Sequence, residues 1–127
     1  MNPLVSCIMP TRHRPQLAAL ALENFLQQTY RHRELIVLDD ADAPSFPKGL
    51  RIDGVRYLAL PYQLNIPQKR NECCARAAGE IICHFDDDDW SAPERIEDQI
   101  ERLQHTKLAM TGYNTMLFYR VSDGAVF

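Results

Sequence analysis

The sequence predicts an α/β fold with a mainly parallel sheet and helices on both faces. Two observations carry that expectation. Short apolar runs alternate with stretches of helical spacing along the 127 residues. Polar residues suited to chemistry stand where several of those runs end: Thr11, then Asp39 and Asp40, then Asp86, Asp87, Asp88 and Asp89. In open sheets of this kind ligands bind beyond the carboxyl ends of the strands. Three separate stretches of sequence are therefore expected on one rim.

The elements follow in order. Residues 4–9 are a short apolar run closed by Pro10 and Thr11, which reads as a buried strand. Pro15 opens a helix with Leu17, Ala21, Phe25 and Leu26 on one face. Residues 34–38 form a second strand, followed by a loop rich in Pro and Gly. Residues 55–60 are a third apolar run. A helix is predicted over 67–78, with Asn65 as its cap and Gly79 as its stop. Residues 80–85 make the fourth strand. Ser91 to Glu94 has a capping-box pattern before a helix carrying Ile96, Ile100 and Leu103. Residues 108–110 and 116–121 read as further strands, with a turn at Ser122-Asp123-Gly124-Ala125 and a returning strand at the end.

Composition excludes several classes. Apolar residues make up 46% and charged residues 24%, the balance of a globular domain, and the length suits one compact domain. A net charge of −3 offers no basic surface for nucleic acid. No apolar run approaches the roughly 20 residues of a membrane span. The first residues lack the pattern of a signal peptide, so the expected location is the cytoplasm, free or peripheral to a membrane. Four cysteines, Cys7, Cys73, Cys74 and Cys83, are then expected as reduced thiols. Cys7 and Cys83 lie in strand-like runs and read as small core residues. A zinc site from Cys73, Cys74, Cys83 and His84 is disfavoured, because neighbouring strand residues point to opposite faces.

Four consecutive aspartates repel one another, and packing gives no reason to end an apolar strand that way. A hard divalent cation, Mg²⁺ or Mn²⁺, resolves the repulsion and leaves positions open for phosphates. The plain alternative is a solvated acidic turn. In a D-x-D spacing the outer acids, Asp86 and Asp88, can converge. One can hold the metal and the other a ribose hydroxyl, while the metal neutralises a leaving diphosphate. Asp39 can accept from a base or a ribose, or else simply shape its turn. Arg70 can reach a base or phosphate with its planar fork, or pair with Glu72 or Glu80. Lys69 reads as a solvated helix cation; Arg12, His13 and Arg14 read first as surface residues and otherwise as help in holding phosphates, and Trp90 as packed on the sheet edge or else lining a sugar pocket.

These stretches resemble the nucleotide half of family 2 glycosyltransferases. The resemblance rests on Val5-Ser6-Cys7-Ile8-Met9-Pro10-Thr11, Glu34-Leu35-Ile36-Val37-Leu38-Asp39-Asp40, Lys69-Arg70-Asn71 with Ala78-Gly79-Glu80-Ile81-Ile82, and Phe85-Asp86-Asp87-Asp88-Asp89-Trp90. It covers roughly residues 4 to 105 and implies a Rossmann-like GT-A fold and a nucleotide-diphosphate-sugar donor, commonly a UDP-sugar. It implies that Pro10 and Thr11 touch the nucleoside, Asp39 recognises the base, and Arg70 closes over the nucleotide. It further implies Asp86 or Asp87 beside the ribose, and Asp88, with Asp86, as ligands of Mn²⁺ or Mg²⁺. The sequence departs from the family where Ala41-Asp42-Ala43-Pro44 replaces the usual Gly-Ser after the acids, so the loop's ribose contact is not carried over. The family's catalytic base and acceptor half fall beyond Phe127, and no base is assigned. The expectation is a C-terminally incomplete, donor-binding half with an acceptor of saccharide, lipid or protein.

Three rival readings remain at this stage. A phospho-acceptor domain would carry its acid pair after the first strand and a Lys after a late one. A haloacid-dehalogenase-type phosphatase would place Thr or Val where Trp90 stands. A non-catalytic nucleotide-sugar-binding module would share every donor motif.

Overall fold

The computed structural model describes residues 2–127. The chain divides into two compact units, one running to Glu97 and one beginning at Asp98. The first contains β1 (Val5–Thr11), α1 (Pro15–Leu26), β2 (Arg33–Asp39), β3 (Val55–Ala59), α2 (Ile66–Arg76) and β4 (Ile81–His84). Its sheet runs in the order β3-β2-β1-β4, and every pairing is parallel. All seven residues of β1 are buried, as expected for a central strand covered on both faces.

Residue parity separates the faces. Ile8, Ile36 and Leu38 point to one side, where Cys73 of α2 packs on them with Leu58, Leu60, Leu64 and Ala77 around the cluster. On the other side α1 buries Ala18, Ala21, Leu22 and Phe25. Leu17 and Leu26, expected on that buried face, are exposed, so the stripe is shifted by one position around the helix. Arg33 joins α1 to β2. Its guanidinium lies 4.7 Å from the Phe25 ring centre and donates to the carbonyls of Phe25, Leu26 and Tyr30, closing the helix's C-terminal end.

The predicted cap of α2 is present. Asn65 accepts from the Gln68 N–H at 2.9 Å, and Gln68 returns a carbonyl oxygen to the Asn65 N–H at 3.1 Å. The helix stops at Arg76, two residues earlier than expected, and Ala77 is already extended. The early stop frees the Ala78 N–H to reach Glu34 Oε1 at 2.7 Å. Glu34 also accepts from the Ser6 hydroxyl at 2.6 Å and from Arg56 at 2.8 Å. Burial alone would raise the Glu34 carboxyl, but those donors, Ser6 first, hold it below its ordinary value. Gly79 is therefore a close-approach residue rather than a helix stop. Its N–H donates to Ser6 Oγ at 2.8 Å, and a Cβ there would lie 2.6 Å from both Leu4 O and Ser6 Oγ.

Helix α3 (Arg95–Thr106) begins without the expected capping box. Ser91 Oγ accepts from the Arg95 side chain at 2.9 Å. The Ile96 N–H, left without a helical partner, is met instead by the buried Gln28 Oε1 at 3.2 Å, while Gln28 Nε2 donates to Ala92 O at 2.8 Å. Ile96 and Ile100 are buried, as their spacing predicts. In the second unit the strand expected over 108–110 is absent, and that over 116–121 shrinks to β5 (Tyr119–Arg120), paired antiparallel with β6 (Ala125–Val126). The apolar residues of those runs are exposed and lack the neighbours that would extend a sheet. Tyr113, which the sequence leaves without a role, donates to Asp98 at 2.8 Å. Among the described residues no helix is long and apolar enough to cross a membrane.

Gly79→Ala is expected to destabilise the fold by about 2–3 kcal/mol, because the added methyl meets backbone atoms that cannot swing away. Urea unfolding followed by circular dichroism measures it. An unchanged midpoint would show that the β1–β4 entry has room to spare.

Candidate functional site

The carboxyl ends of β1, β2 and β4 gather the predicted acids, as the parallel topology requires. Register pairs Thr11 with Asp39 across β1 and β2, and Ile8 with His84 across β1 and β4. The acids of the β4 turn thus start beside the last residues of β1. Parity then distributes them. Asp87, on the α1 side, is buried, and its Oδ2 accepts from the Thr11 hydroxyl at 2.8 Å. Arg14, at the entrance to α1, reaches Asp87 Oδ1 at 2.9 Å and Asp88 Oδ2 at 3.3 Å. Asp86, on the α2 side, receives Arg70 Nη2 at 3.3 Å from both carboxylate oxygens. Arg70 therefore pairs with neither Glu72 nor Glu80 among its recorded contacts, and its buried Nε has no hydrogen-bond partner.

Asp86, Asp88 and Asp89 each offer an oxygen, and these oxygens lie within 4.8 Å of one another. Among the described residues they form the one group of three such side chains able to share an ion. An ion with oxygen ligands at roughly 2.1 Å sets neighbouring ones about 3.0 Å and opposite ones about 4.2 Å apart, so the acids would draw together around it. The converging outer acids match the D-x-D expectation, and Asp89 is an addition that spacing alone did not indicate. Among the described residues no cysteine or histidine joins the group; Cys73 is buried and Cys74 exposed on α2.

The second-strand acids are engaged differently. Asp39 is buried and accepts from the Ala41 N–H at 3.0 Å, the Ser45 N–H at 2.8 Å and the Tyr57 hydroxyl at 2.7 Å. Burial pushes Asp39 up, and the Ser45, Tyr57 and Ala41 donors more than reverse it, so its carboxyl sits below the ordinary range. Burial, then the charge and acceptor of Asp39, push the Tyr57 phenol up to about 12. Asp40 turns to the α2 side, accepts from the Leu64 N–H at 2.7 Å and pairs with Lys69 Nζ at 2.5 Å. Lys69 is buried, not solvated, and its ammonium also donates to Thr11 O at 3.0 Å. Neither composition nor helical spacing distinguishes such a lysine from a surface one. The signal that could have found it is its position four residues after the helix cap, directly over two strand ends.

Arg14 is exposed and Arg12 half-buried, as their surface reading expects, and each also pairs with a rim acid, Arg12 with Asp40 and Arg14 with Asp87. Trp90 does not pack on the sheet edge; it is 77% exposed beside the acidic turn, because Phe85 already fills the interior position against Phe25. Pro10 closes β1 next to Thr11 and is buried.

Electrostatics around the turn are divided. Burial raises Asp87, and the nearby Asp88 and Asp86 charges add to it, against opposing help from Thr11 and Arg14. Asp89 is raised by burial and then by its acidic neighbours. Asp40 is lowered: burial raises it, but the Lys69 and Leu64 donors prevail. The rim thus holds one compensated acid pair and one cluster short of positive charge.

A parallel sheet whose carboxyl rim gathers acids and cations in this way defines an α/β domain of the GT-A type. Solved structures agree. The chain matches a mannosyltransferase of Pyrobaculum calidifontis, solved with GDP-Man and Mn²⁺, at TM-score 0.68 and 21% identity, over 81% of this chain and 33% of that one. It matches TarS of S. aureus, solved with UDP-GlcNAc, at TM-score 0.69 and 17% identity, over 87% and 37%. Residues 6–124 match the profile of the family described as "Glycosyl transferase family 2", and the chain belongs to that family. A relative named for colanic acid biosynthesis as a glycosyl transferase, WcaA of Escherichia coli (strain K12), is 33% identical over 75% of this chain and 36% of its own length. The UDP-Glc:alpha-D-GlcNAc-diphosphoundecaprenol beta-1,3-glucosyltransferase WfgD of Escherichia coli is 31% identical over 79% and 41%. The chain thus spans less than half the length of these relatives.

Two outcomes are expected. Lys69→Ala should destabilise the fold by about 3–5 kcal/mol, because it strands a buried carboxylate; thermal and urea unfolding measure it, and a loss under about 1 kcal/mol would mean that Asp40 finds water instead. Stability should also peak on the acid side of neutrality. Asp87 and Asp89 have raised folded values, so stability grows as pH falls from neutral through them. Glu34, Asp39 and Asp40 have lowered folded values, so their contribution is present above the ordinary values of 4.5 and 3.8 and is lost as pH falls through the folded ones. Asp89→Asn should flatten the neutral-side slope in urea titrations at successive pH values; an unchanged slope would relieve Asp89 of that role.

Proposed function

We propose that this chain is the donor-binding part of a glycosyltransferase that takes a nucleotide-diphosphate sugar with a divalent cation and passes the sugar to an acceptor. The observation that carries the reading is the convergence of Asp86, Asp88 and Asp89 beside Thr11 and Arg70 at one sheet rim, in a chain of family 2. Relatives support the donor class: one is named for UDP-Glc, and solved neighbours hold GDP-Man with Mn²⁺ or UDP-GlcNAc. Uridine is the base we propose first.

The donor set fits the cation. Three carboxylates and no sulfur or imidazole select a hard ion, and an incomplete oxygen cage suits Mg²⁺ or Mn²⁺, which share their remaining positions with phosphate and water. A cation held by these acids would supply positive charge to offset a diphosphate leaving group. Asp88 and Asp86 are its proposed ligands. Asp87 stays behind as a support, because Thr11 and Arg14 already occupy its oxygens.

The protein's own groups do the rest. Pro10 and Thr11 form the floor for the nucleoside. Asp39, fixed by its loop, keeps part of one carboxylate oxygen's acceptor capacity for a base N–H, since a carboxylate offers about four acceptor positions. Arg70 is held on Asp86 and carries an unpartnered buried Nε, so an incoming phosphate or base can engage donors already in place. The two arginines offset the acid cluster until the ion arrives. Of the two acids expected beside the ribose, Asp86 is the proposed contact, with Asp87 bracing the turn behind it, and no residue is assigned as base for the acceptor.

Calorimetric titration of UDP, GDP and dTDP, with and without Mn²⁺, tests the reading. One nucleotide should bind at least about tenfold more tightly with Mn²⁺, a difference of roughly 1.4 kcal/mol, and Asp88→Ala should abolish that difference. Metal-independent binding of all three would remove the cation from the proposal, and an unaltered Asp88→Ala titration would remove Asp88.

A further inference from the structure

Cys7 and Cys83 stand directly opposite one another on β1 and β4. Register partners in a parallel ladder project to the same side, here the face covered by α1. Strands lie about 4.8 Å apart, within the Cα separation of roughly 4.4–6.8 Å that disulfides span. Facing one another in register, the two thiols are each other's largest influence, Cys7 being raised and Cys83 lowered, and Cys83 Sγ also lies 3.7 Å from the His84 carbonyl. Cys7 is wholly buried, whereas Cys83 is partly open on the last strand of the sheet. An accessible thiol beside a sheltered partner is the arrangement of a peroxidatic and a resolving cysteine.

We propose that Cys7 and Cys83 are a redox modification site that closes to a reversible intrachain disulfide when a peroxide reaches Cys83. The surroundings favour that order of events. The facing Cys7 thiol lowers Cys83 and, against burial, Arg95 lowers it further; Arg95 is anchored nearby on His84 O at 2.7 Å. The same pairing, followed by burial, raises Cys7 and keeps its proton in place. The other cysteines are not equivalent. Cys73 is pushed up to about 11, chiefly by burial, and Cys74 is exposed on α2, away from the strand pair.

The chemistry balances without a cofactor. The Cys83 thiolate attacks one peroxide oxygen, the O–O bond breaks, and hydroxide leaves to become water, giving a sulfenic acid. The Cys7 sulfur then attacks the Cys83 sulfur, the S–O bond breaks, and the departing hydroxide carries off the Cys7 proton as a second water. Two thiols lose two electrons, and one peroxide becomes two waters. Side-chain β-carbons on adjacent strands must draw together by about an ångström to reach the mean disulfide spacing of roughly 3.8 Å. The bridge is therefore readily opened by a small thiol. It does not depend on the proposed donor site.

The test uses the full chain and hydrogen peroxide. After treatment, free thiols are alkylated in denaturant, and the unreduced digest is analysed by mass spectrometry. The expected result is a peptide carrying Cys7 joined to one carrying Cys83, with the loss of two hydrogens, restored by dithiothreitol. Cys7→Ser should instead leave a Cys83 sulfenic acid that dimedone traps. Alkylation of both Cys7 and Cys83 after peroxide has oxidised Cys74 would overturn the proposal. So would a Cys83 sulfinic acid formed in the unsubstituted chain while Cys7 remains free.

Discussion

The Lys69 ammonium is buried in a place where a charge survives only with a partner. It is held by Asp40 at the end of β2 and by the Thr11 carbonyl at the end of β1. One side chain from α2 thereby ties two strand ends together and fixes the rotation of the helix. That rotation decides what Arg70 can do, for the next residue along the helix must then lie over Asp86. The Thr11 whose carbonyl takes the lysine also offers its hydroxyl to Asp87. Removing the ammonium would leave Asp40 with an uncompensated buried charge, and it would release the rim on both sides. The pair's contribution is thus as much to registering three elements as to net stability.

The acidic turn shows how one run of identical residues is divided by geometry. Alternation sends Asp87 inward, where a hydroxyl and an arginine satisfy it, while Asp86, Asp88 and Asp89 remain together at the surface. Placing all four acids in water would have been simpler for stability. Burial of Asp87 instead makes it a strut for the turn and leaves its neighbours under mutual repulsion. The arginines do not cancel this evenly: Arg14 serves Asp87 and Asp88, and Arg70 serves Asp86, while Asp89 has no ion pair recorded among the described residues.

Much of this was visible before any coordinates. The strand runs, the Asn65 cap and the acids at the carboxyl rim follow from apolar periodicity and from the position of charged residues after it. Boundaries were less legible where long-range partners set them. Helix α2 stops early because Glu34, far away in sequence, claims the Ala78 N–H, and α3 takes its N-terminal acceptor from Gln28 rather than from Ser91. Lys69 shows the limit of local pattern: a helical lysine at the surface and one plugged between strand ends look the same in sequence. The missing strands of the second unit show the converse: apolar runs with β propensity make no sheet until something pairs with them.

The sequence contains a single tryptophan, and it stands next to the acids with its ring almost wholly in water. Its emission should accordingly be red and easily quenched, and it belongs to one turn rather than to the average of the molecule. A paramagnetic ion arriving among Asp86, Asp88 and Asp89 would dim that light directly. The chain thus carries its own optical gauge of whatever settles at the rim.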